Sequence, residues 1–296
     1  MAKKSLVINK PWEAYVFLAP WIIGLLGFTI IPMFMSLFFS FTNYDMLTPP
    51  RWVSLSNFLG MVKDPRIIKS LKVTFTYVFL GTPFQLAFAL LLAVVLRKNH
   101  VGVRLYRAVY YLPSLFGGSV AIALLWRQIF NAEGVVNRIL ALFNITGKNW
   151  IATPGTAIYT LILLHIWQFG SSMVIFLGGL KQIPMDYYEA AEIDGAGKVS
   201  CFFKITLPLL TPMVFFNIVM AIINSFQAFT PAYIISNGTG SPLDNTLFYT
   251  LYLYIKAFRQ FLMGYASAMA WVLLIIIAIV TKLMFVAADR WVYYDE

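Results

Sequence analysis

An all-α bundle of six membrane-spanning helices is the fold class this sequence predicts, and three observations predict it. Of the 296 residues, 60% are hydrophobic and only 11% charged, with a mean hydropathy of +0.77, far from the composition of a soluble domain. The charged residues are also clumped. Six stretches, 14–44, 73–96, 108–126, 149–180, 205–243 and 260–281, contain no Asp, Glu, Lys or Arg, and each is long enough to cross the ~30 Å hydrocarbon core, which takes about 20 helical residues. Finally, runs such as Leu86 to Leu96 and Leu273 to Val280 are continuously apolar, which disfavours a β-barrel, whose strands alternate.

Taken in order, residues 1–13 form a short basic terminus and the first helix covers about 14–41. Lys3, Lys4 and Lys10 before an apolar run resemble a signal peptide, but the run exceeds a cleavable core of roughly 7–15 residues, so the helix is read as retained. An interfacial helix is expected within 42–72. The second to fourth helices are placed at 73–96, 108–129 and 157–180, the fifth and sixth at 209–230 and 262–285, and a tail at 288–296; together 14–287 form one transmembrane domain. Pro32, Pro83 and Pro212 each remove a backbone hydrogen bond within a helix and favour a bend. Arg97, Lys98, Arg104 and Arg107 crowd one short loop, which the positive-inside tendency places in the cytoplasm together with both termini. The net charge of +10 is then met by lipid head groups, and no nucleic-acid motif accompanies it.

The stretch 181–208 lies between the fourth and fifth helices. Pro184 ends the preceding helix, and Asp186 followed by Glu189 has capping-box spacing, predicting a short helix over Tyr187 to Asp194. Gly195 and Gly197 permit a turn, and Lys198 to Leu207 form a second short helix that ends at Pro208. Small Ala190 and Ala191 leave one face open to close approach.

This stretch resembles the EAA loop of permease subunits of binding-protein-dependent ABC importers, in three blocks: Glu189-Ala190-Ala191, Asp194-Gly195-Ala196 and Ile205-Thr206-Leu207-Pro208. The resemblance continues through Tyr111-Leu112-Pro113, Trp126 to Phe130, Gly134 to Asn137, Phe176 to Leu180 with Ile183-Pro184, and Gly264 to Ala268, as in carbohydrate-uptake permeases. Asn237 to Pro242 stands where members of the maltose and glycerol-phosphate type usually show a Gly-Gly-Pro loop. It implies the type I importer permease fold and identifies the chain with the first of two different permease subunits. The implied partners are a second permease in a heterodimer, two ATPase subunits and an extracytoplasmic solute-binding protein, in a bacterial or archaeal cell membrane. In that family the loop is a cytoplasmic coupling element, which assigns Tyr188, Glu189, Ala190, Ala191, Asp194, Gly195, Ala196, Gly197 and Pro208 to ATPase coupling. Glu189 and Asp194 are expected to fix the loop by capping and polar contacts.

ATP chemistry itself is not expected in this chain. A P-loop needs Gly, four residues, then Gly-Lys-Ser/Thr, and neither Gly147-Lys148-Asn149 nor Gly197-Lys198-Val199 satisfies it. ATP and Mg belong on the partner ATPases. Cys201 is the single cysteine and, without ligand-spaced neighbours, offers neither a disulfide nor a metal site. No catalytic, cofactor or metal residues are therefore assigned.

Polar side chains inside membrane helices are candidates for a cargo pathway. On the fourth helix Leu164, Trp167, Gln168 and Ser171 share a face at i, i+3, i+4 and i+7. On the fifth, Asn217 and Asn224 are nearly aligned, with Ser225 and Gln227 close by. Trp167, Gln168, Ser171, Asn217, Asn224 and Gln227 are the expected pathway, a mixture of amides, hydroxyls and an aromatic plate that suits a sugar. His165 and His100 read as packing and interfacial residues. With no charge inside the six stretches, a neutral sugar or oligosaccharide fits better than a glycerol-phosphate-like solute. The competing classes are an ATP-independent secondary transporter, for which no inverted repeat is visible, and a membrane-embedded enzyme, for which no nucleophile and base converge.

Overall fold

The computed structural model describes residues 11–98 and 101–293; residues 1–10 of the predicted terminus, His100 and residues 294–296 of the predicted tail lie outside them. Helices dominate. The first span is α1 (Pro11–Leu25) running into α2 (Ile31–Ser40) through a π turn at Leu26–Ile30, where the Ile31 N–H reaches back to Leu26 O. Pro32 sits in the first turn of α2, so the wider turn falls where the proline would otherwise break the ladder. A two-residue ribbon, β1 (Thr42–Asn43) with β2 (Arg51–Trp52), and the short helix α3 (Ser56–Lys63) follow.

The second span, α4 (Pro65–Leu96), starts earlier than expected at residue 73, because Asp64 accepts from Arg66 N at 3.0 Å and Pro65 occupies the first turn, a strong start signal that charge counting overlooked. The third span is not the continuous helix expected over 108–129. It breaks into α5 (Val103–Leu115) and α6 (Val120–Phe130), which continues to α7 (Val135–Leu142), the two parts bent by 95°. Gly117 and Gly118 interrupt the chain and Ser119 caps α6, accepting from Ile122 N at 3.2 Å. The fourth span likewise breaks, between α8 (Ala157–Trp167) and α9 (Gly170–Gln182).

Beyond it, α10 (Asp186–Ile193) and α11 (Lys198–Cys201) form the predicted pair of short helices, but α11 does not end at Pro208. It continues through a π turn at Phe202–Thr206 into α12 (Leu207–Phe226), because Leu207 N bonds to Phe202 O and places Pro208 in a first turn, where its missing N–H costs nothing. Short α13 (Thr230–Ile235) and α14 (Tyr249–Tyr254) precede the last span, α15 (Met263–Ala288). Five stretches are long and apolar enough to cross a membrane, and the bent third makes six.

The chain falls into two compact units, residues 1–63 with 256–272, and 64–255 with 273–296. In the first, Gly264 N donates to Tyr44 O at 3.0 Å and Asn57 Nδ2 to Ser40 O and Thr42 O at 2.8 and 2.9 Å. In the second, α4 is the central post against which α8, α9 and α12 pack. Its Leu86, Ala89, Ala93 and Leu96 meet Phe169, Met173, Phe176 and Leu180 of the fourth span in one buried cluster. Small residues allow the approach: a Cβ on Gly179 would lie 2.7 Å from Met213 Cγ, and one on Gly170 2.8 Å from Tyr110 O. Near the start of α4, Arg66 bridges Asp244 through both of its oxygens (2.6 and 2.9 Å), Tyr252 Oη donates to Asp64 (2.6 Å), and Lys69 donates to Asn245 (2.7 Å).

Candidate functional site: an exposed helical turn and a polar cavity

The helical turn is built by the backbone. Gly195 adopts a φ of +77°, its N–H bonds to Glu192 O at 3.0 Å, and Ala196 N–H bonds to Ala191 O at 2.9 Å; this paired closure is a Schellman ending for α10. Glu189 and Asp194 do not fix the loop as expected. Met185, not Asp186, precedes the first helical residue and gives no side-chain cap, and the Glu189 and Asp194 side chains are exposed. With the backbone bonds already closed, those carboxylates face outward, and Asp186 and Glu189 favour the positive end of α10 from its first turn.

Tyr188 anchors the turn instead. Its hydroxyl and Thr206 Oγ1 are 2.9 Å apart, tying α10 to the π turn ahead of α12, and Arg97, just past α4, lies 4.6 Å over its ring. Glu189, Ala190, Asp194, Gly195 and Gly197 are exposed, and Ala191, Ala196 and Pro208 half-buried. Ile193 at 88% exposure and Val199 at 71% are large apolar side chains on the exposed side of this turn.

The cavity, about 580 Å³, lies among α4, α5, α8, α9 and α12, in the size range of small-molecule sites. It exists because two spans are broken. At the break in the fourth span, Gln168 O accepts from Gln85 Nε2 of α4 at 3.1 Å, and Gln168 Nε2 in turn donates to Gly117 O at the break in the third, at 2.8 Å. Two amides thus satisfy carbonyls that the interrupted helices leave free. Gly117 is required for this approach, since a Cβ there would lie 2.9 Å from Gln168 Cδ.

Of the expected pathway residues, Gln168, Ser171, Asn217, Asn224 and Gln227 line the cavity. Trp167 is not brought to it. The break after Trp167 resets the helical phase, so the face predicted for a continuous helix is split; Leu164 is buried and Trp167 packs on Trp126 with ring centroids 5.8 Å apart. Asn217 is 2% exposed and spends its amide on Met213 O at 3.1 Å. Asn224 and Gln227 are exposed in the cavity wall.

Sequence reasoning missed Tyr77 and Gln85, which line the cavity from α4, and read His165 as packing. The signal was present: Tyr77, Gly81 and Gln85 recur at i, i+4 and i+8, one polar stripe on an apolar helix. No Asp, Glu, Lys or Arg lines the cavity among the described residues, and no group of three potential metal ligands occurs among them.

Residues 53–293 match the family described as "binding-protein-dependent transport system inner membrane component". The chain is 55% identical over 297 residues to the probable ABC transporter permease protein YesP of Bacillus subtilis (strain 168), covering 99% of this chain and 96% of that one. It is 30% identical to the lactose transport system permease protein LacF of Rhizobium radiobacter, covering 93% and 94%. Among solved structures, a chain of a bacterial alginate ABC transporter in complex with alginate pentasaccharide-bound periplasmic protein superposes with a TM-score of 0.83 at 21% identity, covering 96% of each chain, a likeness of fold.

Proposed function

The chain belongs to the family of binding-protein-dependent inner-membrane permeases, and from that premise we propose how this subunit of a carbohydrate ABC importer divides its work. The cavity among α4, α5, α8, α9 and α12 is the passage for a sugar or oligosaccharide, and the exposed turn from Tyr188 to Gly197, with Pro208, receives force from an ATPase. Cargo arrives on an extracytoplasmic binding protein. ATP and Mg act on two partner ATPase subunits, a second permease completes the passage, and both termini lie in the cytoplasm with the turn.

The observation that carries this reading is the cavity's lining: amides, hydroxyls and aromatic edges, with no charged side chain among the described residues. Hydroxyl-rich solutes match such a surface. A glycerol phosphate would need a cation that this lining lacks, although a glycerol-phosphate permease is among the relatives at 28% identity. Relatives named for lactose and arabino-oligosaccharide transport support the carbohydrate choice. In the mechanism, ATP binding draws the ATPases together, each pulls a docked turn, and the paired permeases exchange inward-facing for outward-facing states.

The test is to purify the assembly with this chain, rebuild it in lipid vesicles and measure ATP hydrolysis and oligosaccharide uptake with and without loaded binding protein. Stimulated hydrolysis and uptake that both vanish when the Glu189–Gly195 turn is altered are expected. Solute movement by this chain alone, without ATP, would replace the reading with a secondary transporter.

A further inference from the structure

Two buried side chains in the cavity wall carry an inference that rests on the passage assigned above. Tyr77 is 4% exposed and His165 9%, their ring centroids 5.0 Å apart. His165 is held from its far edge: Cδ2 lies against the backbone of Gly81, where a Cβ would come within 2.8 Å, and Nε2 lies 3.1 Å from Ser225 Oγ.

Ser225 fixes the proton on that ring. Its hydroxyl has one hydrogen and two lone pairs, and three partners: Ala221 O at 2.7 Å, Thr82 Oγ1 at 3.1 Å and His165 Nε2 at 3.1 Å. Only the carbonyl can do nothing but accept, and its distance is the usual one for O–H···O, so the Ser225 hydrogen goes to Ala221. Thr82 and His165 must then both donate to Ser225. His165 therefore carries its hydrogen on Nε2. An imidazolium here would be a buried charge with no charged side chain lining the cavity among the described residues, a costly arrangement, so Nδ1 is a bare lone pair.

Every closed-off side-chain nitrogen or oxygen among the described residues has a hydrogen-bond partner. His165 Nδ1 and Tyr77 Oη have no partner among those residues, so neither atom is closed off, and both residues line the cavity. We infer that Tyr77 and His165 form a fixed reader of sugar hydroxyls in the passage, His165 Nδ1 accepting a hydrogen bond from the cargo and Tyr77 Oη donating or accepting one beside it. Asn224 and Gln227 are exposed. The two rings are already ordered by packing, and a site so preorganised rejects an analogue that lacks the matching hydroxyl, because a buried polar atom would stay unpaired.

The test uses the complete importer in lipid. With ring-nitrogen-labelled histidine, the difference between the nitrogen spectra of wild type and His165→Gln isolates this ring; a protonated Nε2 and bare Nδ1 are expected, and a protonated Nδ1 overturns the inference. Glutamine keeps a nitrogen near Ser225 but places nothing at Nδ1, so the three-helix contact survives. In vesicles, binding protein loaded from a mixed hydrolysate of neutral and uronate-containing oligosaccharides supplies the cargo, and mass spectrometry identifies what enters. His165→Gln and Tyr77→Phe are each expected to import that saccharide about tenfold more slowly per ATP hydrolysed, the scale of one lost hydrogen bond. Unchanged import by both variants overturns the reader and leaves the passage intact. A wild type that imports nothing with ATP instead sinks the importer reading, while the nitrogen spectrum still decides the tautomer.

Discussion

Gly195 shows how much one residue decides. At φ +77° it has open space around it, nothing lying within 4 Å of an added Cβ, so a substitution there meets no neighbour, only its own backbone. A β-branched residue is disfavoured in that region by roughly 1–2 kcal/mol, whereas asparagine visits it readily. Gly195→Val is therefore expected to open the end of α10 and abolish ATPase stimulation by loaded binding protein, while Gly195→Asn keeps most of it; equal activity in both would separate the turn from coupling. Gly117 presents the opposite case. Its constraint is a neighbour, the Gln168 amide, and Gly117→Ala is expected to force Gln168 away from Gly117 O, lower the melting temperature of the solubilised assembly and change uptake together.

At the scale of elements, the breaks matter more than the helices. The six spans and the short helix before Gly195 were legible because long apolar runs and turn glycines are local signals, whereas the expected second short helix is the start of a helix that runs on into α12. The breaks in the third and fourth spans were not legible, since Gly117-Gly118 and Gln168-Phe169 sit inside runs with no charge, and hydropathy does not register a change of helical phase. Trp167 lies off the cavity for that reason, and the surroundings of His165 were not legible because they depend on Ser225, 60 positions away, which in turn meets Thr82 across 143 positions. The turn around Gly195 was legible in its three motif blocks, yet the residues that hold it, Tyr188 with Thr206 and Arg97, emerge only from tertiary contact. Gln85 tests the value of the break. Replacing it by Met keeps the volume but leaves the Gln168 carbonyl unpaired, a penalty of about 1–3 kcal/mol for a buried acceptor. Gln85→Met should lower thermal stability by that amount, and Gln85→Glu, which cannot donate when ionised, should fare no better; a neutral effect of both would mean that water already serves that carbonyl.

Across the whole molecule, the question is how an event at one end of α4 reaches the other. This helix has 32 residues, about 48 Å at the usual rise. Its first turns hold the 241–248 loop through the bidentate Arg66–Asp244 pair and Lys69–Asn245, Asp64 just ahead of it takes the Tyr252 hydroxyl of α14, and just beyond its last turn Arg97 covers Tyr188 of the helical turn. A continuous helix fastened at both ends is suited to carry a displacement, but intermediacy alone is no warrant for coupling. The Arg66–Asp244 pair is partly open, its side chains 38% and 29% exposed, so its contribution to stability is small, on the order of 1 kcal/mol or less. Arg66→Ala and Asp244→Ala should therefore leave folding and basal hydrolysis nearly unchanged. If the pair fastens the loop to the post, each should cut binding-protein stimulation severalfold, and the charge exchange Arg66→Asp with Asp244→Arg should recover at least half of it. An exchange no better than the single variants would mean that the loop signals by another route, and α4 would be a scaffold for the cavity alone.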